Sequence, residues 1–239
     1  MSPAGAPGPL DVRIARKRVA SVAGLEVEIL SNLAFRLDAG EVGALIGPSG
    51  CGKSTAMRIV AGLDSAFEGA VARPQGPLGM VFQEPRLLPW RSVEDNIRLA
   101  APDIGEAEFA ALLKRLSLAD HRAHFPSELS LGLARRVALA RAFAVRPSLL
   151  LLDEPFVSLD APLARALRGE LLALVGERAV TTVLVTHDVE EAIRLADRIF
   201  VLSPRPARVI GEIRVRPPRE GMSAAEARSI KADIDALSP

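Results

Sequence analysis

The sequence predicts an α/β fold with a mainly parallel sheet, an N-terminal antiparallel β-subdomain and an inserted α-helical subdomain. Three observations predict it. Short, largely apolar runs at residues 149–152 and 180–185 are bounded by polar turns, the pattern of strands buried on both faces of a parallel sheet. A third run, residues 42–46, leads through a glycine-rich turn into a helical segment, residues 53–63, with apolar positions Met57, Ile59, Val60 and Leu63. Upstream, Leu25, Val27 and Ile29, then Leu33, Phe35 and Leu37, alternate with other residues in places, as short antiparallel strands with one wet face do.

The stretch from about residue 83 to residue 145 reads as mostly helical. Phe109, Leu112, Leu113 and Leu116 recur at helical spacing within residues 106–118. Further helices are expected at residues 163–175, 189–196 and 224–237, the last opened by Ser223 and Glu226 at capping-box spacing. Residues 1–10, rich in Pro, Gly and Ala, are expected to be disordered. The expectation is one domain over residues 1–239, with a helical insertion at about 84–145 and no room for a C-terminal regulatory domain after the last helix.

Composition narrows the function classes. The 239 residues carry 30 basic and 29 acidic side chains, a formal charge of +1, which offers no electrostatic reason to expect a nucleic-acid partner. Hydrophobic residues at 49% and charged residues at 25% are the balance of a folded chain. Cys51 is the single cysteine, so no intrachain disulfide can form and a reducing compartment fits. The first residues lack the apolar core of a signal peptide. No apolar run approaches the ~20 residues that span a bilayer, so contact with a membrane would have to run through a partner protein.

The strongest local signal is Gly47-Pro48-Ser49-Gly50-Cys51-Gly52-Lys53-Ser54-Thr55. It fits G-x-x-x-x-G-K-[ST] and lies after a buried strand and before a helix, the context that confirms a phosphate loop. Glycines permit a tight backbone turn whose N–H groups face phosphate oxygens, and the helix N-terminus adds positive potential. Lys53 would neutralise the β- and γ-phosphates, and the Ser54 hydroxyl would ligate Mg²⁺. About a hundred residues on, the run 149–152 ends in Asp153 and Glu154. Adjacent carboxylates at a strand end suit a metal's water shell (Asp153) and a base beside an attacking water (Glu154).

With these motifs on the page, the chain resembles the ATP-binding subunits of ABC transporters, whose core is a RecA-like P-loop NTPase fold. Val81-Phe82-Gln83-Glu84-Pro85, Leu129-Ser130-Leu131-Gly132-Leu133, Val157-Ser158-Leu159-Asp160 and Val185-Thr186-His187-Asp188 carry the resemblance, in the family's order along residues 40–190. It implies ATP and Mg²⁺ as ligands. It also implies Gln83 as the Q-loop residue reaching Mg²⁺ and the attacking water, His187 as the switch histidine at the γ-phosphate, and Asp160 as the D-loop residue at a dimer interface. Ser130 and Gly132 would complete the ATP site of a second ATPase subunit. A homodimer is expected, with a heterodimer left open.

Residues 83–93 look most like the nitrate/sulfonate/taurine-type bacterial importers. That likeness implies ATP hydrolysis coupled to import of a small solute, permease subunits as direct partners and a periplasmic or extracytoplasmic solute-binding protein as an indirect one. The chain would sit on the cytoplasmic face of the membrane through the permease. Leu87, Leu88, Pro89 and Trp90 would offer the permease an apolar groove, although at least half of them are expected to pack inside the helical subdomain. The competing reading is a low-turnover nucleotide-binding regulatory protein or a non-transport ABC ATPase.

Two departures from the family pattern stand out. No aromatic residue occurs between positions 12 and 34, which leaves Val19 or Val22 as aliphatic surface for adenine. The usual signature Leu-Ser-Gly-Gly-Gln is here Leu-Ser-Leu-Gly-Leu at 129–133. Leu131 adds bulk where backbone approaches phosphate closely, so the ATP-bound dimer should be weaker and basal hydrolysis slow. Changing Leu131→Gly together with Leu133→Gln is therefore expected to raise both ATP-dependent dimerisation and basal turnover. Light scattering and a phosphate-release assay read the two, and no change in either contradicts the expectation.

Overall fold

The computed structural model describes residues 8–20, 25–215 and 222–237, and these form two compact units. One lies within Met1–Gln75 and Thr181–Pro239, the other within Gly76–Val180.

The first unit begins with β1 (Leu10–Ala20) and β2 (Glu26–Leu37), each longer than the alternation alone suggested. They pair antiparallel with Val12 opposite Phe35, and β4 (Glu68–Ala72) pairs with the other edge of β1, giving the order β2-β1-β4. Leu10, Val12 and Ile14 are buried while Asp11 and Arg13 turn outward, the period-two pattern of a sheet with one wet face. The expected disorder of residues 1–10 does not extend to Leu10, which already belongs to the ladder; residues 1–7 lie outside the described residues. Lys17 at the far end of β1 is buried, and its ammonium donates to Asp64 Oδ1 at 2.7 Å and the Ala66 carbonyl at 2.8 Å. The ammonium beside Asp64 holds that carboxyl below its usual range.

The second sheet of this unit is built on β3 (Val42–Ile46), flanked in parallel by β7 (Thr181–Val185) and β8 (Arg198–Leu202). Every residue of β3 and β7 is buried, including the two threonines that open β7, as strands covered on both faces are. β9 (Val209–Arg214) closes the edge antiparallel to β8. Helix α1 (Lys53–Val60) leaves the turn after β3, and α6 (Val189–Leu195) follows β7. The C-terminal α7 (Ala224–Leu237) starts with the expected capping box: Glu226 accepts from the Ser223 N–H, and the Ser223 hydroxyl accepts from the Glu226 N–H.

In the second unit, β5 (Leu78–Val81) and β6 (Leu149–Asp153) run parallel, with Met80 opposite Leu151. The expected insertion contains α2 (Val93–Arg98), α3 (Glu106–Arg115) and α4 (Leu131–Ala144), and α5 (Ala161–Arg178) follows β6. Apolar residues lie on all sides of α4, and ten of its fourteen residues are buried, which is why it sits centrally rather than on a surface. Its buried Arg136 pairs with Glu170 of α5 at 2.6 Å and donates to the Leu116 carbonyl at 2.9 Å.

An ion network staples the shorter helices. Glu94 of α2 receives Arg98 at 2.7 Å and Arg122 at 2.6 Å, and both arginines also reach Glu106 at the start of α3. The Arg122 guanidinium, then Arg98, holds the Glu94 carboxyl at about 2, against an ordinary 4.5. A depressed carboxyl stabilises the fold above its unfolded pKa and loses that contribution as pH falls through the folded value. Solvent around the network keeps the effect modest. Lowering the pH from 4.5 to about 2 should therefore lower the melting temperature, and Glu94→Gln should flatten that decline. An equally steep decline in the variant would remove Glu94 as its source.

Candidate functional site

The phosphate loop in the first unit is shaped by its own cation. Lys53 opens α1 with only 5% of its surface exposed, and a buried ammonium must find acceptors. It finds them in the loop, donating to the carbonyls of Gly47 at 2.8 Å and Pro48 at 2.9 Å. The Cys51 N–H closes a turn onto the same Pro48 carbonyl at 3.2 Å, and the Cys51 side chain is buried as filler. Pro48, Ser49 and Gly50 are exposed at the crown, while Gly52, Lys53 and Ala56 are buried at the base. Ser54 is exposed and Thr55 half-buried in the first turn of α1, which contains no acidic residue to oppose an anion.

Gly52 caps this helix at φ 131°, a conformation L side chains rarely adopt. A Cβ there would also lie 2.8 Å from Leu30 Cδ2 and 3.0 Å from Ile29 Cγ2, so β2 supports the loop from behind.

His187 lies at the same end of the sheet. β7 runs beside β3 with Val185 opposite Leu45, so the loop and the Thr186-His187-Asp188 turn both leave at the carboxyl edge. The Thr186 N–H donates to the Leu45 carbonyl at 3.3 Å, and the Thr186 hydroxyl accepts from the Asp188 N–H at 3.0 Å. Asp188 caps α6 by accepting from the N–H groups of Glu190 and Glu191. The turn is thus held from both sides, with the His187 side chain exposed.

The remaining site residues are gathered in the second unit. Val81 and Leu152 are register partners, so Gln83 and the Asp153-Glu154 pair follow parallel strands at one carboxyl edge. Glu154 takes φ 46°, in the left-handed region that costs a non-glycine residue of order 1–3 kcal/mol. Ser158 does the same at φ 63° just before Asp160. Asp160 caps α5, accepting from the Leu163 N–H at 2.8 Å, and Ser130 caps α4, accepting from the Leu133 N–H at 3.3 Å. The two helix starts touch: a Cβ on Gly132 would fall 2.3 Å from Leu163 Cδ2. Ser130 and Leu131 are exposed at this corner, whereas Gly132 is buried and Leu133 half-buried.

Sequence reasoning missed three arginines. In α4, Arg135 donates to the backbone carbonyls of Glu154 and Pro155, and Arg141 to those of Pro85 at 2.9 Å and Arg86 at 2.9 Å. Burial pulls the Arg141 pKa below the usual arginine value, yet its donors remain engaged. The helix that starts at Ser130 therefore grips both the acidic turn and the turn after Gln83. The third, Arg205 in the first unit, donates to the Gly50 carbonyl from the turn after β8. No hydrophobic period marks these positions; only the arginines' closeness to motif turns in space reveals them.

None of Leu87, Leu88, Pro89 and Trp90 is fully buried, contrary to the expectation for at least half of them; Leu87 and Leu88 are half-buried, and Trp90 is 69% exposed. The turn is closed by Asn96, which accepts from the Leu88 N–H and donates to three carbonyls, leaving the indole outside. Val19 stands opposite Val27 in the β1–β2 ladder, and both are more than a third exposed. Val22 lies outside the described residues. Among those residues, no helix is long and apolar enough to cross a membrane.

A family profile described as ABC transporter matches residues 30–157. The aliphatic sulfonates import ATP-binding protein SsuB 2 of Burkholderia cenocepacia is 43% identical, covering 95% of this chain and 88% of its own. The protein of the same name from Pseudomonas syringae pv. tomato is 41% identical over 94% of this chain and 95% of its own. Among solved structures, the dimeric structure of MJ0796, a bacterial ABC transporter cassette, superposes with a TM-score of 0.77 at 28% identity, covering 87% of this chain and 99% of that one. Its post-hydrolysis dimer bound to ADP and Pi superposes with a TM-score of 0.75.

Gly52→Ala should cost about 1–3 kcal/mol, by forcing Ala to φ 131° against Leu30 and Ile29. The melting temperature should fall by several degrees and MgATP affinity at least tenfold. Wild-type stability and affinity in that variant would show that neither the backbone angle nor the wall behind it matters.

Proposed function

Because the chain belongs to the ATP-binding cassettes of ABC transporters, we propose that it is the ATP-hydrolysing subunit of an importer for aliphatic sulfonates. The observation that carries the reading is the loop curled on Lys53 at the carboxyl edge that also presents His187. That the relatives are import ATP-binding proteins favours an importer and lends nothing to the regulatory or non-transport alternative.

The roles follow from the chemistry of each group. Residues 47–55 hold the β- and γ-phosphates through backbone N–H groups and the Lys53 ammonium. Glu154 accepts a proton from the attacking water, and His187 hydrogen-bonds the γ-phosphate. Ser54, Gln83 and Asp153 offer hydroxyl, amide and carboxylate oxygens, a hard-donor set that fits Mg²⁺. When bound, Mg²⁺ supplies charge neutralisation on the phosphate oxygens. Val19, exposed opposite Val27 in the β1–β2 ladder, would offer adenine an aliphatic surface in place of an aromatic one.

Two chains act together: Ser130, Gly132 and Asp160 of one protomer complete the site of its partner. A homodimer is supported by the dimeric cassette to which this chain is similar. Permease subunits would dock on the exposed Trp90 turn at the cytoplasmic face of the membrane, and a solute-binding protein would deliver cargo to the permease.

Glu154→Gln should lower steady-state ATPase activity at least ~100-fold, the low end of what a general base contributes. It should also accumulate an ATP-bound dimer on size-exclusion chromatography. Unchanged activity and no dimer would favour a mere nucleotide-binding protein.

A further inference from the structure

Arg205 belongs to none of the motifs, yet its guanidinium lies on the crown of the phosphate loop. Nε donates to the Gly50 carbonyl, and Nη2 lies 3.9 Å from where a Gly50 Cβ would be. Three features hold it there. β8 runs beside β3 with Val201 opposite Ile46, so the turn after β8 starts beside the loop. Ser203 closes that turn: its N–H donates to the Arg208 carbonyl at 3.0 Å, and its hydroxyl accepts from the Arg208 N–H at 3.1 Å. Ala207 then fastens the turn to β2, donating to the Ile29 carbonyl at 2.8 Å and accepting from the Ser31 N–H at 3.0 Å. Ile29 is also the residue behind Gly52, so one stretch of β2 supports both the loop's base and the arm that carries Arg205.

A loop that binds phosphate has to turn its carbonyl oxygens away, because an uncompensated lone pair beside a polyanion is repulsive. Lys53 engages the Gly47 and Pro48 carbonyls from inside. Arg205 engages the Gly50 carbonyl from outside, where Gly50 at φ 72° is exposed and has no side chain to restrain it. A charge-assisted hydrogen bond is roughly twice as strong as a neutral one, and the cation adds positive potential at the crown.

We propose that Arg205 is a positioning residue for the nucleotide's phosphates, fixing the crown peptide through Gly50 and raising the loop's affinity for MgATP by its charge. The proposal rests on the reading of residues 47–55 as an ATP site and identifies a residue outside its motif that tunes it. A crown contact of this kind acts on binding, while Glu154 and His187 govern the chemical step. The effect therefore belongs in KM and Kd rather than in kcat.

The test is MgATP titration calorimetry and steady-state kinetics on the full-length chain and its Arg205→Ala, Arg205→Lys and Arg205→Gln variants. Arg205→Ala should raise Kd and KM about tenfold and leave kcat within about twofold. Arg205→Lys should recover most of the loss, and Arg205→Gln, which keeps an N–H donor without the charge, should not. Melting curves without nucleotide separate a folding defect from a binding defect, and the Lys–Gln comparison keeps its meaning if the Ala variant is unstable. Kd within twofold of wild type in the Ala variant overturns the proposal. So does recovery by Gln equal to that by Lys, or a fall in kcat at unchanged KM. No MgATP binding by the wild-type chain overturns the underlying ATP-site reading as well, whereas wild-type binding with indifferent variants overturns Arg205 alone.

Discussion

The loop at residues 47–55 is organised around a buried positive charge. With 5% of its surface exposed, Lys53 depends on the loop's own carbonyls, and the two hydrogen bonds it makes to Gly47 and Pro48 set the curl of the backbone. Everything near the loop accommodates that arrangement. β3 is buried and flanked on both edges, so the turn leaves from a rigid base. Gly52 takes an angle open to glycine, and β2 closes behind it. The adjacent strands then bring His187 to one shoulder of the loop and Arg205 to the other.

The second unit solves a related problem with arginine and backbone carbonyls. Glu154 occupies the left-handed region, a conformation that persists only when neighbours over-determine it. Arg135 supplies part of that restraint by binding the Glu154 and Pro155 carbonyls. Arg141, two turns along the same helix, binds the Pro85 and Arg86 carbonyls after Gln83. Since α4 starts at Ser130, the signature corner, the acidic turn and the Gln83 turn share one rigid element. A displacement of α4 would strain the hydrogen bonds that Arg135 and Arg141 make to both turns.

Much of this was legible in the residues, for reasons that differ by element. β3, β6 and β7 were readable because strands buried on both faces are largely apolar, and α7 because Ser223 and Glu226 cap it locally. β4, β5, β8 and β9 were not singled out: β4 has one half-buried position and no fully buried one, and β9 closes a sheet edge with a mixed pattern. The phosphate loop and Asp153-Glu154 were legible because phosphate and metal chemistry fixes residue types at fixed spacing. Arg135, Arg141 and Arg205 were not, since each bonds to backbone carbonyls and so leaves no partner residue type to look for. At the Trp90 turn the exposed indole agrees with an apolar surface offered outward. The packing expected for at least half of the four residues is only partial, Leu87 and Leu88 being half-buried, because Asn96 closes the turn through its backbone.

The most direct measurement is MgATP binding to the purified chain, by calorimetry, beside its Lys53→Ala variant. A loop organised by and around this ammonium should bind the nucleotide in the wild type and lose at least ~100-fold in affinity, about 2.7 kcal/mol, in the variant. Equal affinity in the two proteins, or none in the wild type, would contradict a phosphate site built on Lys53.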